Sequence, residues 1–246
     1  MNKILLLIFY LLCGCSDKSQ QSSDVLIVGT SPDNRPFEFI ENGVLVGFDI
    51  DLINAIASKI GKKIIIKNIS FQGLVPALHS REIDLLIAGI SATEDRKTDV
   101  LFSVPYTESS MILLSNNDFV IAKLDDLKHK IIGAQMSSSL YQKAKEMKKQ
   151  IPELSIRALN SNLLLVNELI LRNIDVLITE TSQVKQLLQN HKNLNQFEIQ
   201  GSKSLFSIAY SKNNDKNHGL VQQIDQAIEQ LKKDGTIAIL EKKWLN

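Results

Sequence analysis

Residues 83–96 read IDLLIAGISATEDR, and this stretch brings an apolar strand directly before a group of hydrogen-bond donors. Residues 85–88 form an apolar run without polar alternation, which is typical of a strand buried on both faces of a parallel α/β sheet. Gly89 ends this run, and Ser91 and Arg96 follow at the place where open α/β sheets bind ligands. Because the Arg96 guanidinium offers a fork that fits a carboxylate, the stretch predicts a site for an anion.

The same residues allow a second interpretation. Thr93 is able to cap a helix that carries Arg96 on a solvent-exposed surface. Ser91 would then have no role beyond capping, and no ligand would be involved. The stretch by itself does not decide between an anion site and an ordinary helix start, so both interpretations stay open at this point.

The composition describes an ordinary globular chain without a cofactor signature. Its 246 residues are enough for one large domain or two small ones, and 44% of them are hydrophobic. Lys and Arg number 28 against 27 Asp and Glu, so no basic excess predicts a nucleic acid partner. The four histidines show no ligand spacing and both cysteines lie among the first 15 residues, so we expect neither a metal site nor a cofactor.

The front of the chain has the pattern of an export signal. An apolar run over residues 4–12 follows a lysine, and the run is too short to span a bilayer. The sequence around Cys15 resembles a bacterial lipobox, so residues 1–14 are predicted to be a signal peptide and residues 15–23 a lipidated tether. Lipid on Cys15 would anchor the exported protein to a membrane, in the periplasm or at the cell surface. The alternative is an ordinary secretory signal that is cut nearby.

Two later stretches repeat the pattern of the opening one. Residues 174–180 read IDVLITE, an apolar strand that ends in the carboxylate of Glu180. The predicted strand at residues 131–134 is followed by three serines, and Ser138 is placed to cap a helix and to present its N-terminus to an anion. The alternatives are that Glu180 is a solvated residue that opens the next helix, and that Ser138 is only a cap.

Turn and helix signals place three further residues. Asn34 lies in a turn-rich loop that follows the predicted first strand at residues 25–28. Asp49 is expected to cap a helix over residues 50–60, whose apolar residues share one face. Phe71 opens another helix, where it packs either in the core or against a ligand.

Five further motifs stand at ordered positions along the chain. They are PFEF at residues 36–39, GFDIDL at 47–52, FQGLVPAL at 71–78, FSVPY at 102–106 and KDGT at 233–236. Together with residues 83–96, they resemble the extracellular solute-binding proteins of family 3, the polar amino acid receptors of ABC importers. The resemblance covers essentially all of residues 25–245.

This resemblance implies a two-lobed α/β fold. The fold class is periplasmic-binding-protein-like, type II, with two α/β lobes joined by two crossover strands and a ligand cleft between them. Lobe one would comprise residues 24–108 and 208–246, and lobe two residues 111–205.

The resemblance also implies roles for the candidate ligand-binding residues. Arg96 would hold the α-carboxylate of an amino acid, with Ser91 and the Gly89 backbone beside it. Glu180 would hold the α-ammonium, at a position where the family has Asp, and Ser138 would help to bind the carboxylate. The family often packs the residue that matches Phe71 on the bound side chain. It also often has an aromatic residue where Asn34 stands, so specificity at that position is expected to differ.

The implied function is that of the substrate-binding protein of an ABC transporter. Such a receptor captures a polar amino acid by hinge closure, with glutamine or arginine favoured here, and delivers it as a monomer to a membrane permease. An enzyme of the same fold, a lyase similar to cyclohexadienyl dehydratase, is one alternative, although the sequence shows no nucleophile–base pair. A sensory surface lipoprotein with the same lobes is another.

Overall fold

The computed structural model describes residues 25–212 and 217–245. The predicted signal peptide, the tether and Cys15 lie outside these residues. Within the described ranges, no helix combines the length and the apolar character that crossing a membrane requires.

Strands and helices alternate along most of the described chain. The strands are β1 (Val25–Thr30), β2 (Asp33–Asn34), β3 (Glu38–Glu41), β4 (Val44–Val46), β5 (Lys63–Asn68), β6 (Leu85–Leu86), β7 (Val100–Phe102), β8 (Thr107–Asn116), β9 (Ile131–Gln135), β10 (Ser155–Leu159), β11 (Val176–Glu180), β12 (Leu194–Phe206) and β13 (Ala209–Ser211). The helices are α1 (Phe48–Lys59), α2 (Phe71–His79), α3 (Glu94–Asp99), α4 (Ser139–Gln150), α5 (Asn162–Ile170), α6 (Thr181–Asn190), α7 (Asn217–Lys233) and α8 (Thr236–Trp244), with a 3-10 helix at Leu124–Leu127.

The strands form two five-stranded sheets, in the orders β5-β1-β6-β13-β7 and β10-β9-β11-β8-β12. A small sheet of β2, β3 and β4 accompanies the first. We call the part of the chain around the first sheet, with the small sheet, lobe one, and the part around the second sheet lobe two. In each lobe the central strands pair in parallel and the returning strands pair antiparallel. The two α/β lobes confirm the predicted fold class.

Two long strands join the lobes. β8 leads into lobe two and β12 leads back, and they pair antiparallel from Thr107 opposite Phe206 to Asn116 opposite Leu194, with a register shift between Glu198 and Lys203. The predicted lobe boundaries, residues 24–108 with 208–246 and residues 111–205, stay a prediction about domain limits.

The two lobes repeat one packing arrangement at their first strands. A Cβ on Gly29 of β1 would lie 2.4 Å from Cδ1 of Ile83 and 3.1 Å from Cδ2 of Leu74. A Cβ on Gly133 of β9 would lie at the same distances from Ile174 and Leu165, 2.4 and 3.1 Å. Glycine lets a helix lie directly on each strand, so the carboxyl ends of β1 and β9 are positioned equivalently in the two lobes.

Local turn signals are borne out in the structure, and two predicted boundaries change. Asn42 and Gly43 both have positive φ, 51° and 79°, and they join β3 to β4 in the predicted hairpin. The strand predicted over residues 85–88 is shorter, because β13 pairs with Leu85 and Leu86 only, and the chain turns at Gly89.

Asp49 does not cap α1 as predicted. The helix begins at Phe48, two residues earlier than expected, with Gly47 at the N-cap position, and Asp49 lies buried in its first turn. A Cβ on Gly47 would lie 2.2 Å from the Phe37 carbonyl oxygen, and its φ is 134°, so only glycine fits there. Asp49 therefore does not cap the helix, and its carboxylate instead accepts hydrogen bonds from the Gly89 N–H and the Tyr106 hydroxyl.

Candidate ligand-binding site

The lobes enclose a cavity of about 30 Å³ between them. It is lined by six of the seven predicted ligand-binding residues: Asn34, Phe71, Gly89, Arg96, Ser138 and Glu180. Ser91, the seventh, is buried beside the cavity and contacts it through Arg96. The lining also includes residues that the sequence interpretation missed, namely Phe37, Ala88, Gln135, Ser139, Leu140, Asn162, Gln183 and Phe206.

Arg96 reaches from lobe one across the cavity to lobe two. Thr93 caps α3 and accepts a hydrogen bond from the Arg96 N–H, as predicted. The guanidinium donates from Nη1 to the Ser91 carbonyl at 2.9 Å and from Nη2 to the Ser137 carbonyl at 2.7 Å. Burial lowers the pKa of Arg96 to about 10, so the group stays cationic at neutral pH. The surface-helix interpretation is therefore wrong, because this cation lies between the lobes.

The N-terminus of α4 meets the same cavity from lobe two. The Ser138 hydroxyl donates to the Gln135 carbonyl at 2.6 Å and accepts from the Tyr141 N–H at 3.1 Å, so it caps the helix. The N–H groups of Ser139 and Leu140 have no hydrogen-bond partner among the described residues. Free N–H groups at the positive end of a helix bind anions, so the backbone at Ser139 is better placed than the Ser138 hydroxyl to receive a carboxylate.

Ser137 has a backbone conformation that favours glycine. Its φ is 63°, in the left-handed region. This backbone turn directs the Ser137 carbonyl towards Arg96. A serine in this conformation is strained.

Glu180 ends β11 and is buried, with 6% of its surface exposed. The Ser204 hydroxyl donates to its Oε1 at 3.1 Å, and its Oε2 has no partner among the described residues. Burial raises the pKa of Glu180 to about 8, and the hydroxyls of Ser204 and Ser109 only partly oppose this. The interpretation of Glu180 as a solvated residue is wrong, because the carboxyl group faces an enclosed, incompletely satisfied environment.

The sequence predicted that the Gly89 backbone would help to bind a ligand, but its N–H already has a partner within the protein. It donates to Asp49 Oδ2 at 2.7 Å, and the Tyr106 hydroxyl donates to the same oxygen at 3.0 Å. The φ of Gly89 is 53°, and a Cβ there would lie 2.8 Å from Asn34 Nδ2, so glycine is required at this bend. Burial raises the pKa of Asp49 to about 6, while burial and the neighbouring Asp49 charge raise the pKa of Glu38 well above its usual range.

Side-chain amides form a second polar group in the cavity. Asn34 Nδ2 donates to Glu38 Oε1 at 3.1 Å, and its Oδ1 accepts from Gln183 Nε2 of lobe two. The Thr179 hydroxyl donates to the side-chain oxygen Oε1 of Gln183. Gln183 lies in the first turn of α6, three residues after Glu180. This position close to a predicted site residue could have identified Gln183 from the sequence.

Phe71 contacts the core and also lines the cavity. Its ring is partly buried and packs against the core residues of α2 and β6, and it also lines the cavity. The Arg96 Cζ atom lies 5.6 Å from the ring centroid, within the range of a cation–π contact. The ring therefore forms one apolar wall of the site.

Contacts between the lobes show that this is a closed arrangement. The Asn162 N–H of lobe two donates to Asp33 Oδ2 of lobe one at 3.1 Å, and the hydroxyls of Ser91 and Ser139 lie 3.3 Å apart. Among the residues that the structure describes, no group of three or more His, Cys, Asp or Glu side chains is arranged to hold a metal ion. The arrangement instead offers a guanidinium and free N–H groups for an anion, and an unpaired carboxyl group for a cation.

Comparison with known proteins points the same way. Residues 26–246 match the family model for bacterial extracellular solute-binding proteins, family 3. The chain is 32% identical over 238 residues to the arginine-binding extracellular protein ArtP of Bacillus subtilis, covering 94% of this chain and 91% of that protein. It is 34% identical over 223 residues to a probable histidine-binding protein of Campylobacter jejuni, covering 89% of this chain and 84% of that protein.

Solved structures share the fold over nearly the same length. An ancestral arginine-binding protein bound to glutamine aligns with a TM-score of 0.82 and 35% identity, covering 90% of this chain and 97% of that chain. The match over residues 26–246 extends across both lobes and includes every residue of the cavity. The chain therefore belongs to the bacterial extracellular solute-binding proteins, family 3.

Proposed function

We propose that the protein captures a free α-amino acid between its lobes for import by an ABC transporter. The observation that carries this proposal is one enclosed cavity with a cation, Arg96, and an unpaired carboxyl group, Glu180. An α-amino acid carries one carboxylate and one ammonium group, so its main chain matches these two groups. The relatives named above bind amino acids according to their names, which supports the same class of ligand.

In this proposal the α-carboxylate is held from both lobes. Arg96 now donates to two neutral carbonyl oxygens, and a carboxylate is a stronger acceptor for its fork. The free N–H groups of Ser139 and Leu140 complete the anion site from lobe two. The Ser91 carbonyl accepts a hydrogen bond from Arg96 and so orients the guanidinium. The Ser138 hydroxyl caps α4 and so orients its N-terminus.

The α-ammonium would lie against Glu180. The carboxyl group has one hydrogen bond and one free oxygen, so an ammonium supplies both the missing donor and the countercharge. Phe71 would pack on the ligand side chain, and Asn34 would limit its far end. We infer a polar amino acid, with glutamine or arginine favoured, because the side-chain amides of Asn34 and Gln183 line this part of the cavity and Asn34 stands where the family often has an aromatic residue.

Capture would proceed by hinge closure about β8 and β12. The ligand favours the closed state because only there do Arg96, the α4 N-terminus and Glu180 contact it together. The closed receptor would then bind a permease in the cytoplasmic membrane, as a monomer. Export and a lipid on Cys15 would keep it at the membrane, and detergent partitioning of wild type against Cys15→Ser tests this anchor.

An enzymatic role is not favoured. The relatives above are named as binding proteins, and the carboxyl groups of the site are explained by binding a zwitterion. A sensory surface protein with the same cleft would bind a ligand in the same way, and it differs only in its partner. Co-purification with a permease and its ATPase separates these two roles.

The test of the binding function is a thermal-shift screen of the twenty amino acids on residues 24–246. A ligand that binds the folded state alone stabilises it by mass action, by about 2.7 kcal/mol at a hundred times the Kd. We expect a few polar amino acids to raise the Tm and their methyl esters, which lack the α-carboxylate, to have no effect. No shift with any amino acid, confirmed by calorimetry, would contradict the proposal.

A further inference from the structure

Gln135 is the last residue of β9 and lines the cavity from lobe two. It is buried, with 5% of its surface exposed. Its Nε2 has no hydrogen-bond partner among the described residues. Leaving a buried polar group unsatisfied is costly, so buried amides are almost always bonded to something. This amide is therefore available to a molecule bound in the cavity.

The other amides nearby are already committed or less enclosed. Asn34 and Gln183 bond to each other, and Glu38 and Thr179 bond their remaining ends. These partners fix the orientation of both amides and leave them little capacity for a ligand. Gln135 differs because its Nε2 donor has no partner among the described residues, and the same amide carries an acceptor oxygen.

The charges of the cavity limit what side chain can bind there. Arg96 and Glu180 are the charged residues in its lining, and the proposed function assigns them to the α-carboxylate and the α-ammonium. Asp33 lies in an adjoining open groove of about 610 Å³, where its carboxylate accepts hydrogen bonds from the Asn162 N–H and the Ser31 hydroxyl. A charged ligand side chain enclosed beside Gln135 would have no counterion, and burying an unpaired charge is costly.

We propose that Gln135 determines the specificity of the side-chain subsite, by exchanging hydrogen bonds with a neutral side chain that both donates and accepts. The carboxamide of glutamine is such a group, so glutamine is the preferred ligand over arginine and over glutamate. This inference rests on the proposed function, because it takes Arg96 and Glu180 as the partners of the ligand main chain. A site built around a polar group discriminates strongly against analogues that lack the matching group.

The experiment is a set of calorimetric titrations with glutamine, methionine, glutamate and arginine. The proteins are wild type, Gln135→Leu, Gln135→Glu and the control Gln222→Leu, which makes the same change on the exposed face of α7. We expect wild type and the control to bind glutamine most tightly. Gln135→Leu should lose about ten- to a hundredfold in glutamine affinity, while its affinity for methionine, similar in length but without an amide, should hold or rise.

Gln135→Glu supplies the sharper readout, because it places a carboxylate where the amide stood. It should shift the preference towards arginine, and a merely structural role for Gln135 would not produce this inversion. Gln135→Met, which keeps the side-chain length, replaces the leucine variant if that protein unfolds.

The outcomes separate the two proposals. Binding of arginine to wild type at least as tightly as glutamine, or an unchanged glutamine-to-methionine ratio in Gln135→Leu, overturns the role of Gln135. If in the same experiment Arg96→Ala abolishes binding, the amino acid site itself survives. No binding of any amino acid to wild type overturns both.

Discussion

The two sides of the cavity differ in how far the protein satisfies its own polar groups. On the lobe-one side, Asp49 accepts hydrogen bonds from Gly89 and Tyr106, and the Asn34 amide is bonded at both ends. On the lobe-two side, within the described residues, Oε2 of Glu180 and Nε2 of Gln135 line the cavity without a partner. Oδ1 of Asp49 and Oε2 of Glu38 also lack a partner among the described residues, but these two residues do not line the cavity. The N–H groups at the start of α4 are likewise free within those ranges.

This difference separates structural carboxyl groups from ligand-binding ones. Asp49 and Glu180 are both buried, and burial raises the pKa of both, to about 6 and about 8. Two donors from the protein hold Oδ2 of Asp49, whereas among the described residues serine hydroxyls alone act on Glu180, Ser204 at 3.1 Å and Ser109 nearby. The unpartnered groups that line the cavity therefore lie on lobe two, and closing that lobe is costly until a ligand satisfies them.

Loss of Arg96 should have the largest effect, because it removes the one cation of the anion site. Truncating one partner of a buried charge pair costs about 2–5 kcal/mol, so Arg96→Ala should weaken binding roughly thirty-fold to several-thousand-fold. Arg96→Lys should also bind poorly, since an ammonium cannot reproduce the fork. Calorimetric titration with the best ligand of the screen measures both, and unaltered affinity in Arg96→Ala would remove the assignment of the carboxylate site.

A matched pair of neutral substitutions tests the comparison itself. Glu180→Gln should weaken binding about ten- to a hundredfold, because an amide cannot supply the countercharge of an ammonium. It should leave the free energy of unfolding without ligand unchanged or higher, because it replaces a buried, incompletely bonded carboxyl group by a neutral amide of similar size. Asp49→Asn should lower that free energy by about 1–3 kcal/mol, because the two hydrogen bonds from Gly89 and Tyr106 would then reach a neutral amide and not a carboxylate. Urea unfolding measures the stability of both variants, and calorimetric titration measures their ligand affinity. A loss of stability in Glu180→Gln with a loss of affinity only in Asp49→Asn would refute the distinction between a ligand-binding and a structural carboxyl group.

Binding should release a proton from Glu180. With a pKa of about 8, its carboxyl group holds a proton at pH 7 in the ligand-free closed cleft, and pairing with an ammonium requires the ionised form. Affinity should therefore fall as the pH drops below 8, by at most about tenfold per pH unit. Calorimetry at pH 7 in buffers of different ionisation enthalpy counts the released protons, and Glu180→Gln should release none. Equal release by both proteins would point to another group.

The smallest effect is expected at Ser137, on the backbone of lobe two. Ser137→Gly should stabilise the protein by about 0.5–1 kcal/mol, because the left-handed φ of 63° is costly for serine and not for glycine. The control Ser58→Gly, in the last turn of α1, should destabilise, because glycine is a poorer helix former than serine. Thermal unfolding compares them, and a loss of stability in Ser137→Gly would show that the serine side chain has a role of its own.

Sequence alone determined the features that depend on near neighbours. The Asn42-Gly43 turn, the Thr93 and Ser138 caps and the position of Arg96 after a buried strand follow from backbone propensities and capping within a few residues. The carboxyl end of a buried strand is a ligand position in many α/β sheets, so Gly89 and Glu180 were also found from their place in the pattern.

Only the tertiary structure decided which of these groups are free. The Gly89 N–H is taken by Asp49, forty residues away in the chain, and Gln183 of lobe two is taken by Asn34 of lobe one. Gln135 has the same strand-end position as Gly89 and Glu180, but its importance lies in having no partner, which no local pattern encodes. Hydrogen-bond partners across a cleft are set by how two lobes pack, and that packing is a property of the whole fold rather than of any stretch of sequence.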